Sequence, residues 1–270
     1  MKIGNKKFDL ENNTYIMGIL NVTPDSFSDG GQYTTIQNAI SHAKKMIEEG
    51  AAIIDIGGES TRPGHESVSV QEEINRVVPV IEELIQHIDV PISIDTSKAA
   101  VAEAAIKAGA SLINDVWGFK AEPEIARVAA QYNVPCCLMH NRDNKDYQHL
   151  IEDMKKDLAE SISIALEAGV KKENIILDPG IGFAKTVEDN LVVMNHLEEF
   201  FDLGYPVLLG TSRKSMIGKI LDLPVEQRVE GTVATTVIGI MKGCSIIRVH
   251  DVKENLRAAV MTEAIMKSDR

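Results

Sequence analysis

Short apolar runs ending in polar residues recur along the chain. They lie at 15–22 (YIMGILNV), 52–58 (AIIDIGG), 91–96 (PISIDT), 111–117 (SLINDVW), 135–140 (PCCLMH), 174–180 (NIILDPG), 206–212 (PVLLGTS) and 245–251 (SIIRVHD). Each is four to eight residues long and almost continuously apolar before its polar end, as a strand buried on both faces should be. Between them, apolar residues recur every three or four positions. Ile36, Ala39, Ile40, Ala43, Met46 and Ile47 trace one such helical face, stopped by Gly50. Ser69 and Glu72 open a second helix with the spacing of a capping box, and Pro79 predicts a kink or broken turn within it. Further helical patterns run to Gly109, Gly169 and Gly204, glycines suited to a left-handed stop. Strands alternating with helices, without a linker or composition break, predict a parallel α/β structure. Eight strands close a barrel, so a single (β/α)8 TIM barrel spanning 1–270 is the expected domain. An open doubly wound sheet is the runner-up, but its G-x-G-x-x-G signature after the first strand is absent.

Composition changes this picture little. The 270 residues could hold two domains by length alone, yet barrels commonly use about 250 as one unit. Aromatics make up 4%, so the core must be built from aliphatic residues. A net charge of −12 argues against nucleic acid and anionic membranes as partners, while leaving room for a small anion in a locally basic pocket. Cys136, Cys137 and Cys244 are odd in number and lack C-x-x-C spacing, so they read as buried small hydrophobes. With no apolar leader or membrane-length run, a soluble, cytoplasmic protein is expected.

The chemistry-bearing residues gather at the strand ends. Asn21, Glu59, Asp95, Asn114, His140, Asp178, Lys214, Arg248 and His250 all fall at or just past predicted strand C-termini, where barrels of this kind keep their active sites. Each alone could be a helix cap or an ion pair; together they mark a site. Arg248 and His250 are two apart on a strand, so they point the same way and could seat an anion. Ser212, Arg213, Lys214 and Ser215 follow the seventh run, where such barrels often bind phosphate. Asp95 and Asp178 are costly to bury unless paired or bound to a ligand, and a carboxylate can accept two parallel N–H bonds from an amidine edge. Asn114 both donates and accepts, which suits the mixed edge of the same heterocycle. No G-x-S-x-G, H-E-x-x-H or Walker A motif is present. His140 has no second histidine at ligand spacing, so it reads as structural.

Two loops are unusual: ILNVTPDSFSDGG (19–31), where Phe27 stands among turn formers, and GGESTRPG (57–64). With IDT, INDV, LDPGIGF, GTSRKS and IRVHDV, in this order, they resemble the signatures of the dihydropteroate synthase family over about 16–255. The resemblance implies a Mg²⁺-assisted transferase of folate synthesis, a homodimer. It joins 6-hydroxymethyl-7,8-dihydropterin diphosphate to p-aminobenzoate. Asp95, Asn114, Asp178 and Lys214 would hold the pterin, and Thr61, Arg62, Arg248 and His250 the diphosphate. Asn21 would ligate the metal, and Phe27, Pro63, Lys214 and Ser215 would surround p-aminobenzoate. Asp95, Lys214, Arg248 and His250 are the expected catalytic set. A methyltetrahydrofolate-binding methyltransferase would share the pterin barrel but needs no diphosphate seat. A non-catalytic pterin-binding protein is the remaining alternative. The MHNRDNKDY stretch (139–147) varies within the family, so the resemblance assigns no role to Asn141 or Arg142.

Overall fold

The computed structural model describes residues 1–22, 31–59 and 68–268, with only the helical backbone for 31–35. A two-residue-per-strand hairpin, β1 (Lys2–Ile3) and β2 (Lys6–Lys7), precedes the barrel strands. These are β3 (Tyr15–Asn21), β4 (Ile53–Gly57), β5 (Ile92–Asp95), β6 (Leu112–Asp115), β7 (Cys136–Met139), β8 (Ile175–Asp178), β9 (Leu208–Leu209) and β10 (Ile246–Val249). All pair in parallel in the order β8-β7-β6-β5-β4-β3-β10-β9. A parallel bridge from Leu177 to Val207 joins the two edges, so the sheet closes on itself as a (β/α)8 barrel.

The outer layer contains α1 (Gly31–Glu48), α2 (Val70–Leu84), α3 (Ala99–Ala108), α4 (Glu124–Tyr132) and α5 (Leu150–Glu167). It continues with α6 (Val187–Asn195), α7 (Ser215–Leu221), α8 (Val229–Met241) and α9 (Val252–Met266). Three helix expectations need correction. Helix α2 runs unbroken through Pro79, with Val77, Val80, Ile81 and Leu84 buried on either side of it; packing on this face offsets the lost backbone bond. Ser69 does accept from the Glu72 N–H, but the Glu72 carboxylate pairs with Arg76. The pattern ending at Gly204 is not one helix. The α-helix stops at Asn195, His196 leaves helical geometry (φ −116°, ψ 24°), and residues 197–203 form a tighter 3-10 segment.

The two-residue period of a strand sorts the side chains into two cores. One set, including Ile54, Ile56, Ile94, Ile113, Cys136, Leu138, Leu177 and Ile247, packs against the helices. The other set, Met17, Ile53, Leu112, Cys137, Ile176, Leu208 and Ile246, fills the barrel with Ile3 and Phe8 from the N-terminal segment. One pleat further on, that interior row becomes Ile19, Asp55, Asn114, Met139, Asp178, Gly210 and Arg248. The apolar plug thus gives way to polar groups toward the C-terminal strand ends.

Candidate active site

Arg248 stands at the centre of this polar layer. Its Nε donates to Asp55 Oδ2 at 2.6 Å and its Nη2 to Asp95 Oδ2 at 2.7 Å. Asn114 Nδ2 donates to the same Asp55 oxygen at 3.1 Å. Register places Asp95 directly between Gly57 of β4 and Asn114 of β6. Asp55 Oδ1 and Asp95 Oδ1 are buried without a hydrogen-bond partner among the described residues. Burying a carboxylate oxygen without a donor carries a large desolvation cost, which donors from a ligand would offset. Burial pushes the Asp95 carboxyl up to about 7; the Arg248 guanidinium pulls it down, and Asp55 adds to the rise.

Two glycines lie against these groups. A side chain at Gly57 would point between Asn21 Oδ1 and Asp95 Oδ2, each 3.8 Å from its Cβ position. At Gly210 the Cβ position lies 3.8 Å from Asp178 Oδ2 and 3.9 Å from Arg248 Cβ.

Asp178 ends β8, buried, with Oδ1 accepting from the Gly180 N–H at 2.7 Å. Burial raises its carboxyl, and the Lys214 ammonium opposes that rise. Lys214, just before α7, donates to the Ile181 carbonyl and lies 4.7 Å from the centre of the Phe183 ring. Burial lowers it to about 8, against the pull of Asp178. His250 follows β10; its Nδ1 and backbone N–H both engage Ser212 Oγ, at 2.9 and 3.1 Å. Asn21 is exposed at the end of β3, and Ser215 is exposed as the first residue of α7. Asp95, Asn114, Asp178, Lys214, Arg248 and His250 are thus gathered around one end of the barrel. Phe27, Thr61, Arg62 and Pro63 lie outside the described residues.

Other strand-end groups have different occupations. Arg213 is committed to Asp251 through Nε (2.9 Å) and Nη2 (2.5 Å), away from the ion pairs of the barrel. Glu59 pairs with Lys98, which also holds Glu73 at 2.7 Å. His140 is buried between Asp157 and Lys185, and Arg142 also pairs with Asp157. Asn141 Oδ1 accepts from the Arg142 N–H at 2.9 Å.

Asp55 escaped the reading of strand ends because it sits in mid-strand. The available signal was an acid in an otherwise apolar run of a strand expected to be buried on both faces.

Among the described residues, no group of three or more His, Cys, Asp or Glu side chains could hold a metal ion. Among the described residues, the Asn21 amide oxygen, a hard neutral ligand, would fit Mg²⁺. Mg²⁺ commonly relies on one or two protein oxygens plus substrate phosphate and water, so a lone protein donor is compatible with its chemistry.

The pterin binding enzyme family matches residues 17–250. The dihydropteroate synthase of Clostridium beijerinckii is 66% identical over 99% of this chain and 100% of its own. A Clostridium difficile dihydropteroate synthase, crystallised in the presence of pteroic acid, superimposes with a TM-score of 0.94 at 56% identity, covering 96% of this chain and 99% of that one. The Xanthomonas albilineans enzyme with 4-aminobenzoic acid gives 0.91 at 42% identity, over 95% and 94% of the two chains. With its family's profile, length and barrel, this chain belongs to the dihydropteroate synthases.

Proposed function

We propose that the polar mouth of the barrel binds 6-hydroxymethyl-7,8-dihydropterin diphosphate and transfers its pterin methylene to the amine of p-aminobenzoate, giving 7,8-dihydropteroate and diphosphate. The observation that carries this is the Asp55–Arg248–Asp95 pairing beside Asn114 and Asp178, in which one oxygen of each of Asp55 and Asp95 has no hydrogen-bond partner among the described residues. The relatives seen with pteroic acid and 4-aminobenzoic acid support the substrate pair.

In this reading Asp178 accepts N–H bonds from the amidine edge of the pterin, while Asn114 and Lys214 meet its mixed polar edge. Asp95 lies beside the methylene carbon. As the C–O bond to diphosphate breaks, positive charge spreads from that carbon into the electron-rich pterin, and an ionised Asp95 stabilises it. Arg248, His250, Thr61 and Arg62 stabilise the charge on the departing diphosphate, which is where a fixed cation contributes most to rate. Bound Mg²⁺, with Asn21 as a protein ligand, would neutralise diphosphate charge. The arylamine is unprotonated at neutral pH, so its nitrogen attacks without a strong base and then loses a proton. Phe27, Pro63, Lys214 and Ser215 would surround the benzoate.

Two finer readings go with this. Exposed apolar side chains on α8 and α9, including Met241 (64% exposed), Val260, Met261 and Ile265 (each 61%), support a homodimer through these helices. Three buried free cysteines suit a reducing, cytoplasmic setting; no helix among the described residues is long and apolar enough to cross a membrane. The deciding experiment is diphosphate release with both substrates present. Release that depends on p-aminobenzoate supports the synthase; pterin binding without release points to a non-catalytic binder. Methyl transfer from methyltetrahydrofolate would point to the methyltransferase instead.

A further inference from the structure

Behind the proposed pterin site lies a buried lysine to which the reaction assigns no task. Lys185, 5% exposed, donates from Nζ to the carbonyls of Gly180 and Phe183 and to His140 Nδ1, each at 3.0 Å. An ammonium has three hydrogens, and these three acceptors use them all. His140 Nδ1 can accept only if the ring is neutral with its proton on Nε2, and that Nε2 lies 2.9 Å from Asp157 Oδ2. The carboxylate thus selects the tautomer, and the tautomer presents a lone pair to the lysine. Burial lowers His140 to about 4, which keeps the ring neutral.

The loop that Lys185 grips is the one joining Asp178 to the pterin-facing lysine. Gly180, Gly182 and Ala184 have φ values of +67°, +87° and +48°, so this loop is tightly folded. The Gly180 and Phe183 carbonyls face Lys185, whereas the Ile181 carbonyl faces Lys214. Gly180 cannot carry a side chain, since its Cβ would lie 2.1 Å from the His140 carbonyl oxygen. The Gly180 N–H holds Asp178 Oδ1, and the Phe183 ring lies beside the Lys214 ammonium. The Gly182 N–H is held by Asn190 Oδ1 at 2.7 Å, and the Ala184 carbonyl by the Tyr147 hydroxyl at 3.0 Å. Every carbonyl from 180 to 184 except that of Gly182 therefore meets a side-chain donor.

Resting on the pterin assignment above, we propose that Lys185, held by the His140–Asp157 pair, is a positioning residue: its ammonium shapes the 180–184 loop so that Asp178 and Lys214 present a fixed spacing to the pterin. A misplacement of one ångström in such a pair is enough to cost a large factor in binding or rate. The same charge also acts through space, lowering the Asp178 carboxyl against its burial.

The test compares the whole enzyme with two kinds of variant, after wild-type turnover and pterin affinity have been measured. A wild type that binds no pterin overturns the assignment, and the positioning role falls with it. Given wild-type binding, Lys185→Met should weaken 6-hydroxymethylpterin about tenfold or more by calorimetry, with the KM for p-aminobenzoate within about twofold. A folded Lys185→Met that melts earlier but keeps wild-type pterin affinity overturns the proposal. If that variant does not fold, His140→Gln and His140→Leu decide. Glutamine keeps an acceptor for the ammonium and should retain pterin affinity; leucine keeps none and should lose it. Equal pterin affinity in the two folded histidine variants overturns the proposal.

Discussion

Arg248 and Asp95 form a largely buried ion pair, 2.7 Å from Nη2 to Oδ2, while the same guanidinium holds Asp55 through Nε. The residue proposed to seat diphosphate is therefore also the counter-ion of two interior acids. That double duty changes what its removal should do. Arg248→Ala is expected to weaken pterin diphosphate by roughly ten- to a hundredfold, from a lost charge-assisted bond of about 1.5–3 kcal/mol. It should also lower the denaturant midpoint, because two buried carboxylates lose their partner. A variant with wild-type stability would show that the pairing with Asp55 and Asp95 contributes nothing to the fold.

Asp95 gives the site a pH dependence whose sign can be worked out. Its carboxyl is raised to about 7 in the folded protein, so between about 4 and 7 the folded state keeps a proton that the unfolded chain has released. This group's contribution to stability therefore falls as pH rises through that window. Pterin binding should run the other way, because N–H donors prefer the ionised acid. Affinity should drop about tenfold per pH unit below 7 and level off above it. Asp95→Asn should flatten both profiles, which calorimetry and thermal melts across pH 5–8 would reveal.

Asp178→Asn isolates recognition of the heterocycle. The amide can no longer accept two N–H bonds, and its NH2 would face a donor. Affinity for pterin should collapse while the far-UV circular dichroism and melting transition persist. The assignment of Asp178 to the pterin fails if calorimetry finds wild-type affinity.

Asp55→Asn tests a residue in the middle of β4. The carboxylate receives both Arg248 Nε and Asn114 Nδ2. Neutralising it should destabilise the protein by up to about 3–5 kcal/mol, the usual cost of breaking a buried pair from one side. Pterin affinity should fall as well, since Asn114 and Arg248 lose a shared anchor. Urea unfolding together with pterin titration reads both effects, and a variant matching wild type in both would assign Asp55 to neither.

Much of the fold was legible in sequence because parallel strands buried on both faces must read as apolar runs, and here the ends of those runs coincide with the ends of β3 to β8 and β10 to within two residues. Strand β9 is the exception. Its expected seven-residue run shrinks to Leu208–Leu209, with Val207 reduced to the bridge that closes the barrel. Glycine stops at 50, 109, 169 and 204 carry positive φ, which reflects a local backbone requirement independent of tertiary context. At Pro79 packing on the barrel overrode the helix-breaking signal, whereas at His196 a local turn ended the helical pattern.

By itself the sequence determined which residues stand at strand ends and which side of a strand they share, since both follow from a period of two along the chain. It determined as well that Asp95 and Asp178 end their strands. Partners were decided only in three dimensions. Arg248 lies 193 positions from Asp55 and 153 from Asp95, so no local pattern joins them. Closure of the barrel brings β10 against β3 and sets Arg248 facing β4 and β5 across the interior. Lys185 shows the same limit. In sequence it is one lysine after an apolar glycine loop; only the packing of α5 behind that loop supplies Asp157, through His140, and makes the lysine a buried clamp.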